Sequence, residues 1–195
     1  APQERYFVYT GTMSEWQQPD VFVRGFAQLA AEHPDVGLRF FGQGAVEGKL
    51  REISEQLVPG RGIVGGVVSP SDSASWLRGA LGAMVSIVPG IGYDFARPTK
   101  TYAAAACGTP VLFTGAETGG ALVREAELGE AVAFDPNSVA TAMRALIAQD
   151  ADGTTAARRP TRAQWARDNV SLDAVGDRAA DAVLSVLHGA RTARD

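Results

Sequence analysis

Gly90-Ile91-Gly92-Tyr93-Asp94-Phe95-Ala96-Arg97-Pro98-Thr99-Lys100-Thr101-Tyr102-Ala103-Ala104-Ala105-Ala106-Cys107-Gly108-Thr109-Pro110-Val111 reads as a glycine-flexed loop, a helix of small residues and an exit into an apolar strand. Pro98 suits the first helical position, because the N–H it lacks would have no acceptor inside the helix, so Thr99 and Lys100 are predicted on the opening turn. That turn offers free backbone N–H groups and the positive end of the helix dipole to an anion, and Lys100 adds a full charge. Lys100 is one of two lysines in a chain that otherwise uses arginine. Ala103 to Ala106 leave no bulk on the helix, which lets it press against a sheet. Gly108 ends it before the apolar run Pro110-Val111-Leu112-Phe113.

Working outward, the same grammar repeats on both sides. Tyr6 to Thr10 is an aromatic and β-branched strand stopping at Gly11, followed after a loop by a helix from Asp20 to near His33-Pro34 with Phe22, Phe26, Leu29 and Ala30 inward. Val36 to Phe41 is a second strand closing on Gly42-Gln43-Gly44, and Val46, Leu50, Ile53 and Leu57 mark one face of the next helix. Gly62 to Val68 reads as a third strand, followed by a helix opening at Ser69-Pro70 or Ser71 that carries Trp76 and Leu77 inward. Ala83 to Val88 is a fourth strand. Past the opening stretch come a strand at Val111 to Phe113, a short helix introduced by Gly119-Gly120 and closed by Gly129, a strand at Ala131 to Phe134 and a helix from Asn137 to about Ile147.

Strands alternating with helices of this length imply right-handed crossovers and a parallel sheet covered on both faces. The predicted fold is α/β, a Rossmann-like doubly wound parallel sheet of about six strands, over residues 1–150. Ligands of such sheets bind beyond the carboxyl ends of the strands. Gly11, Gly42 to Gly44, Gly66 to Ser69, Gly90 to Arg97 and Thr114 to Gly120 all fall on that rim. Asp150 to Thr155 is a polar break. Residues 151–190 carry two C-terminal helices, Arg162 to Asn169 and Leu172 to about Leu187, and 191–195 belong to a frayed tail beginning near Gly189.

Composition narrows the function. The 195 residues are enough for one domain with a substantial core, and 46% apolar with 21% charged residues is ordinary for a globular chain. No apolar run approaches the roughly 20 residues of a membrane span. A net charge of -4 supplies no basic face for nucleic acid. Cys107 alone excludes an internal disulfide, and His33 and His188 at helix ends exclude a histidine-rich metal cluster. Without a signal peptide the chain is expected in the cytoplasm, and its opening directly on a strand reads as a piece of a longer protein.

The run Pro98-Thr99-Lys100 through Gly108-Thr109-Pro110-Val111 resembles the P-S-K-x-x-E-x-M-A-x-G-x-P-V signature in the C-terminal domain of family-4 (group 1) GT-B glycosyltransferases. The resemblance covers nearly the whole chain in order: Gly11 after the first strand, Gly42 and Gly44 after the second, Gly66-Val67-Val68, Gly119-Gly120, and a final helix pair with Trp165 that in the family crosses back to an N-terminal domain. It implies one half of a GT-B architecture, the donor-binding domain of a retaining glycosyltransferase of hexosyltransferase type, inactive as an isolated domain, without a metal or other cofactor. Its partners would be a nucleoside-diphosphate sugar and a missing N-terminal acceptor domain, through which it could sit peripherally at the inner membrane. The resemblance assigns the donor diphosphate to Lys100, Thr99, Arg97, Gly11 and Thr12, the base to Val67 and Val68, and the sugar to Gly90, Gly92 and Asp94; it assigns no catalytic residue.

Four positions depart from the family. Thr12 and Gln17 stand where it has arginine and lysine, and Phe95 and Ala103 stand where it has a pair of glutamates, the second of which takes the ribose hydroxyls. Asp94 would serve as the first only with the loop shifted by one residue. A non-catalytic scaffold that lost its charged ligands, or a GT-B sugar-nucleotide epimerase, are the alternatives.

Other motifs have plainer readings. Gly42-Gln43-Gly44-Ala45-Val46-Glu47-Gly48 misses the dinucleotide fingerprint by one residue and marks a sharp turn. Asp150-Ala151-Asp152 follows a helix and precedes Gly153, as loop residues do. Cys107 and Trp165 are expected to pack, whereas Tyr93 and Tyr102 could stack on a base or sugar.

Overall fold

The computed structural model describes residues 4–192, and the side chains of 4–185. Fifteen elements follow in order: β1 (Arg5–Thr10), α1 (Asp20–Ala27), β2 (Val36–Phe41), α2 (Glu47–Leu57), β3 (Gly62–Val64), α3 (Pro70–Gly79), β4 (Gly82–Ile87), α4 (Thr99–Ala106), β5 (Val111–Gly115), α5 (Glu117–Glu125), β6 (Gly129–Val132), α6 (Pro136–Ala151), α7 (Thr154–Ala157), α8 (Arg159–Val170) and α9 (Leu172–Thr192). All strand pairs are parallel, in the order β3-β2-β1-β4-β5-β6. This is the doubly wound order, with its topological switch point between β1 and β4.

Period-two alternation divides the core into two layers. Phe7 and Tyr9 of β1 with Leu38 and Phe40 of β2 meet Phe22, Phe26, Leu50, Val139 and Leu146 from α1, α2 and α6. Tyr6 and Val8 with Val85 and Phe113 meet Leu77, Ala104, Ala105, Val123 and Ala166 from α3, α4, α5 and α8. Burying a side chain of this size contributes about 1.5–3 kcal/mol, which drives the chain to cover both sheet faces. Arg39, on buried β2, is compensated by Glu4 and by the carbonyls of Leu38 (2.7 Å) and Arg61 (3.1 Å).

Several boundaries differ from the sequence reading. The third strand stops at Val64, not Val68: its ladder with β2 ends at the Phe40–Val64 pair, and Gly66 (φ +75°) turns the chain toward Gly42, whose N–H donates to the Gly66 carbonyl at 2.7 Å. The first helix ends at Ala27 and turns carry the chain to His33, where the Arg61 guanidinium gathers the carbonyls of Ala30, His33 and Val36. Leu57, expected on the inner face of α2, is exposed. Gly119 and Gly120 lie inside α5 rather than before it, and a Cβ on Gly119 would stand 2.4 Å from the Phe113 ring, so the glycine lets α5 lie directly on β5. The expected polar break is largely helical, since α6 runs to Ala151 and α7 follows. The first of the two C-terminal helices starts at Arg159, and α9 reaches Thr192, through residues expected to fray. The remaining tail residues, 193–195, lie outside the described residues.

Candidate functional site

Thr10-Gly11-Thr12 leave the carboxyl end of β1 and Phe41-Gly42 that of β2, on the rim beside the switch point. The two loops touch through backbone: Gly11 N–H donates to the Phe41 carbonyl at 2.8 Å, and a Cβ on Gly42 (φ +138°) would fall 1.9 Å from the Gly11 carbonyl oxygen. Only glycine permits that approach. α4 points its N-terminus at the same place. Pro98 sits at the N-cap with extended backbone (φ -62°, ψ 130°), one position earlier than expected, and its carbonyl accepts from Thr101 N–H at 3.0 Å. No side chain caps this helix start, so its first N–H groups stay available.

These elements enclose a cleft of about 430 Å³ lined by Thr10 to Thr12, Phe41, Gly42, Val67, Val68, Pro70, Ser73, Thr99, Lys100 and Ala103. Six of the sequence-nominated residues therefore meet: Gly11, Thr12, Val67, Val68, Thr99 and Lys100. Val67 is two-thirds exposed on the cleft wall, and Ala103 presents only a methyl to the cleft.

Lys100 is the charged side chain of this cleft. Its amine lies 5.0 Å from the centre of the Tyr9 ring, and its Cε packs 3.1 Å from the position a Gly11 Cβ would take. Burial lowers its pKa from 10.5 to about 8. Its pKa still lies above neutral pH, so the amine stays mainly protonated there. Among the described residues no carboxylate pairs with it. Tyr9 and Gln17, which support Lys100 from below, were not singled out as site residues. Gln17 is a polar residue in a loop, and only tertiary contact distinguishes it from a solvated one; in fact it is 3% exposed.

The remaining nominated residues lie elsewhere. Arg97 is exposed and does not line the cleft. Gly90 and Gly92 adopt left-handed backbone (φ +77° and +90°), and Asp94 closes their loop by accepting from Gly90 N–H at 2.9 and 3.1 Å. Asp94 borders a second cleft of about 380 Å³ with Gly115, Glu117, Gly120 and Arg124. Tyr93 stacks on Trp16 (centroids 4.8 Å, planes 17° apart) and Tyr102 packs toward Trp165 (6.4 Å). Phe95 is 76% exposed.

α4 is held at its other end by α8. Arg159 donates to the Cys107 carbonyl (3.3 Å), and buried Arg162 donates to the carbonyls of Gly108 (3.3 Å) and Thr155 (3.2 Å), placing cations at the negative end of the helix. Burial, then repulsion from Arg158 and Arg159, lowers the Arg162 pKa to about 10. Burial also raises the Cys107 thiol, which leaves it protonated and unreactive at neutral pH. Among the described residues no three His, Cys, Asp or Glu side chains gather as a metal would require, and no helix is long and apolar enough to cross a membrane.

A six-stranded parallel sheet in this order, with a basic cleft at the switch point, defines a Rossmann-like domain of the kind found in each half of a GT-B glycosyltransferase. The chain belongs to the glycosyl transferases group 1 family, whose model matches residues 4–149. Solved structures agree in fold. A glycosyltransferase from Rickettsia africae superposes with a TM-score of 0.79 at 14% identity, covering 96% of this chain and 49% of that one. WaaG, a glycosyltransferase involved in lipopolysaccharide biosynthesis, gives 0.74 at 19% identity (93% and 47%), and Anabaena HepE, solved with UDP and glucose, gives 0.72 at 16% (92% and 48%). The chain thus spans about half the length of these structures. No curated protein matches it in sequence.

Proposed function

We propose that this chain is the donor-binding half of a retaining glycosyltransferase that moves a hexose from a nucleoside-diphosphate sugar to an acceptor held by an N-terminal domain. The observation that carries the reading is the convergence of Gly11-Thr12, Val67-Val68 and Thr99-Lys100 on one cleft at the switch point. The diphosphate lies against the uncapped N–H groups of α4 and the Lys100 ammonium, whose charge stabilises the leaving group as negative charge develops on it. No metal takes part. Thr12 and the Gly11 backbone border the diphosphate, while Val67 and Val68 cover one face of the base. From the neighbouring loop Arg97 assists at the diphosphate, and Gly90, Gly92 and Asp94 face the sugar, once donor and N-terminal domain are in place. The location is the cytoplasm, with membrane proximity supplied by the other domain.

A scaffold reading has its own support: Ala103 lines the cleft where a ribose-binding glutamate is expected, and Gln17 is buried instead of reaching the ligand. Calorimetric titration with UDP, GDP and ADP, with and without magnesium, separates the two. The donor reading expects metal-independent binding of one diphosphate, weakened roughly 10- to 100-fold in Lys100→Ala. Absence of binding by all three, also with the N-terminal domain restored, supports the scaffold.

A further inference from the structure

Gln17 lies in the loop between β1 and α1, buried beneath the cleft rather than on its wall. With its amide nitrogen toward the Thr12 carbonyl, the Tyr9 hydroxyl (3.1 Å) and the Ser14 hydroxyl (3.0 Å), its amide oxygen faces Lys100 Nζ at 2.7 Å. This orientation is the one that puts an acceptor on the ammonium and a donor on the carbonyl. The Tyr9 hydroxyl in turn donates to the Thr12 carbonyl at 2.6 Å, so Gln17 and Tyr9 share one anchor in the β1 exit loop. Beneath Lys100 there are therefore two neutral supports, an amide oxygen and a ring face, and among the described residues no ion pair to it.

We propose that Gln17 is a positioning residue: it holds the Lys100 ammonium at the mouth of the cleft through one uncharged hydrogen bond and so keeps its full charge for a diphosphate. A carboxylate at this place would hold the amine equally well but cancel its charge; an apolar residue would leave it untethered and harder to protonate. The position where the family carries a ligand lysine serves here as a support for the lysine that remains. The inference rests on the donor-binding reading for its purpose, but the contact itself is tested without nucleotide.

Lys100 and Lys49 are the only lysines, so the 195-residue chain with ¹³C-labelled lysine gives two Cε signals, assigned with Lys49→Arg. Their pH titration is compared in wild type, Gln17→Met and Gln17→Glu. The proposal expects the Lys100 midpoint, near 8 in wild type, to fall in Gln17→Met and to rise by at least about one pH unit in Gln17→Glu. Both variants are expected to weaken the nucleoside diphosphate that wild type binds by roughly tenfold, Gln17→Glu despite its intact tether. A Lys100 signal that titrates identically in folded samples of all three overturns the proposal, whatever binds. Opposite movements with no nucleotide bound by any form support the tether and reject the donor-binding reading instead. A loss of fold in Gln17→Met leaves the isosteric Gln17→Glu to decide by the same shift.

Discussion

Lys100→Met should make the protein more stable and less able to bind a diphosphate, and the two effects trace to the same buried charge. In the unfolded chain the amine has its ordinary pKa of 10.5; in the folded cleft desolvation lowers it to about 8. Below pH 8 both states are protonated, and the folded state carries the full cost of a partly buried ammonium, up to about 3 kcal/mol. Lys100 is partly open to solvent, and the variant loses the hydrogen bond to Gln17, offsetting about 1 kcal/mol. A net gain of about 1–2 kcal/mol remains, or about 2–8 °C in Tm for a chain of this size. The pH dependence has a definite sign. As pH rises from 8 to 10.5 the wild-type folded state sheds its proton while the unfolded state keeps it, so wild type gains stability and the advantage of the variant fades. Thermal unfolding of both proteins by circular dichroism at pH 7 and pH 10 measures this, alongside UDP, GDP and ADP titration at pH 7. A Tm lower than wild type at pH 7, or an advantage that does not shrink at pH 10, refutes the reasoning that the ammonium is held at a cost.

Ala103→Glu restores a carboxylate on an exposed position of the cleft; stability should stay within about 0.5 kcal/mol of wild type, and affinity for the preferred nucleoside diphosphate should rise roughly tenfold while that for pyrophosphate, which has no ribose, does not, as calorimetry would reveal. Gly42→Ala forces a Cβ onto the Gly11 carbonyl at positive φ and should lower the urea stability by at least about 3 kcal/mol; a near-neutral change would mean that the two loops separate easily. Arg162→Ala strips the Gly108 and Thr155 carbonyls of their donor and opens a gap between α4 and α8, at a cost of about 2–4 kcal/mol by urea denaturation. Relief of its repulsion with Arg158 and Arg159 dominates instead if that variant is more stable.

Much of the molecule was legible in advance because its signals are local. The strands at Val36 to Phe41 and Ala83 to Val88 are short, mainly apolar runs bounded by turn residues, Pro34-Asp35 and Gly42 for the first, Gly82 and Pro89-Gly90 for the second, and the Pro98-Thr99-Lys100 start carries its chemistry within one turn of helix. Boundaries failed where backbone conformation or a distant partner decided them: β3 ends early because the chain turns at Gly66 (φ +75°) soon after the Phe40–Val64 pair, and Gly119 enters a helix because the Phe113 ring needs its missing Cβ. The cleft was readable as a set of strand ends, but not which loop belonged to it. Gly90 to Asp94 follow a strand on the same rim, yet their loop closes on itself through Asp94 and borders a different cleft.

Taken alone, the sequence determined the alternation of strands and helices, the parallel sheet, the glycine rim and the cationic helix start, since each depends on residues a few positions apart. Tertiary structure alone decided that Gln17 turns inward beneath Lys100, that Tyr9 offers its ring face to the ammonium, and that Arg159 and Arg162 hold the far end of α4. Those contacts join segments remote in the chain. Their energies come from desolvation and hydrogen-bond geometry, which exist only once the two sheet faces are covered.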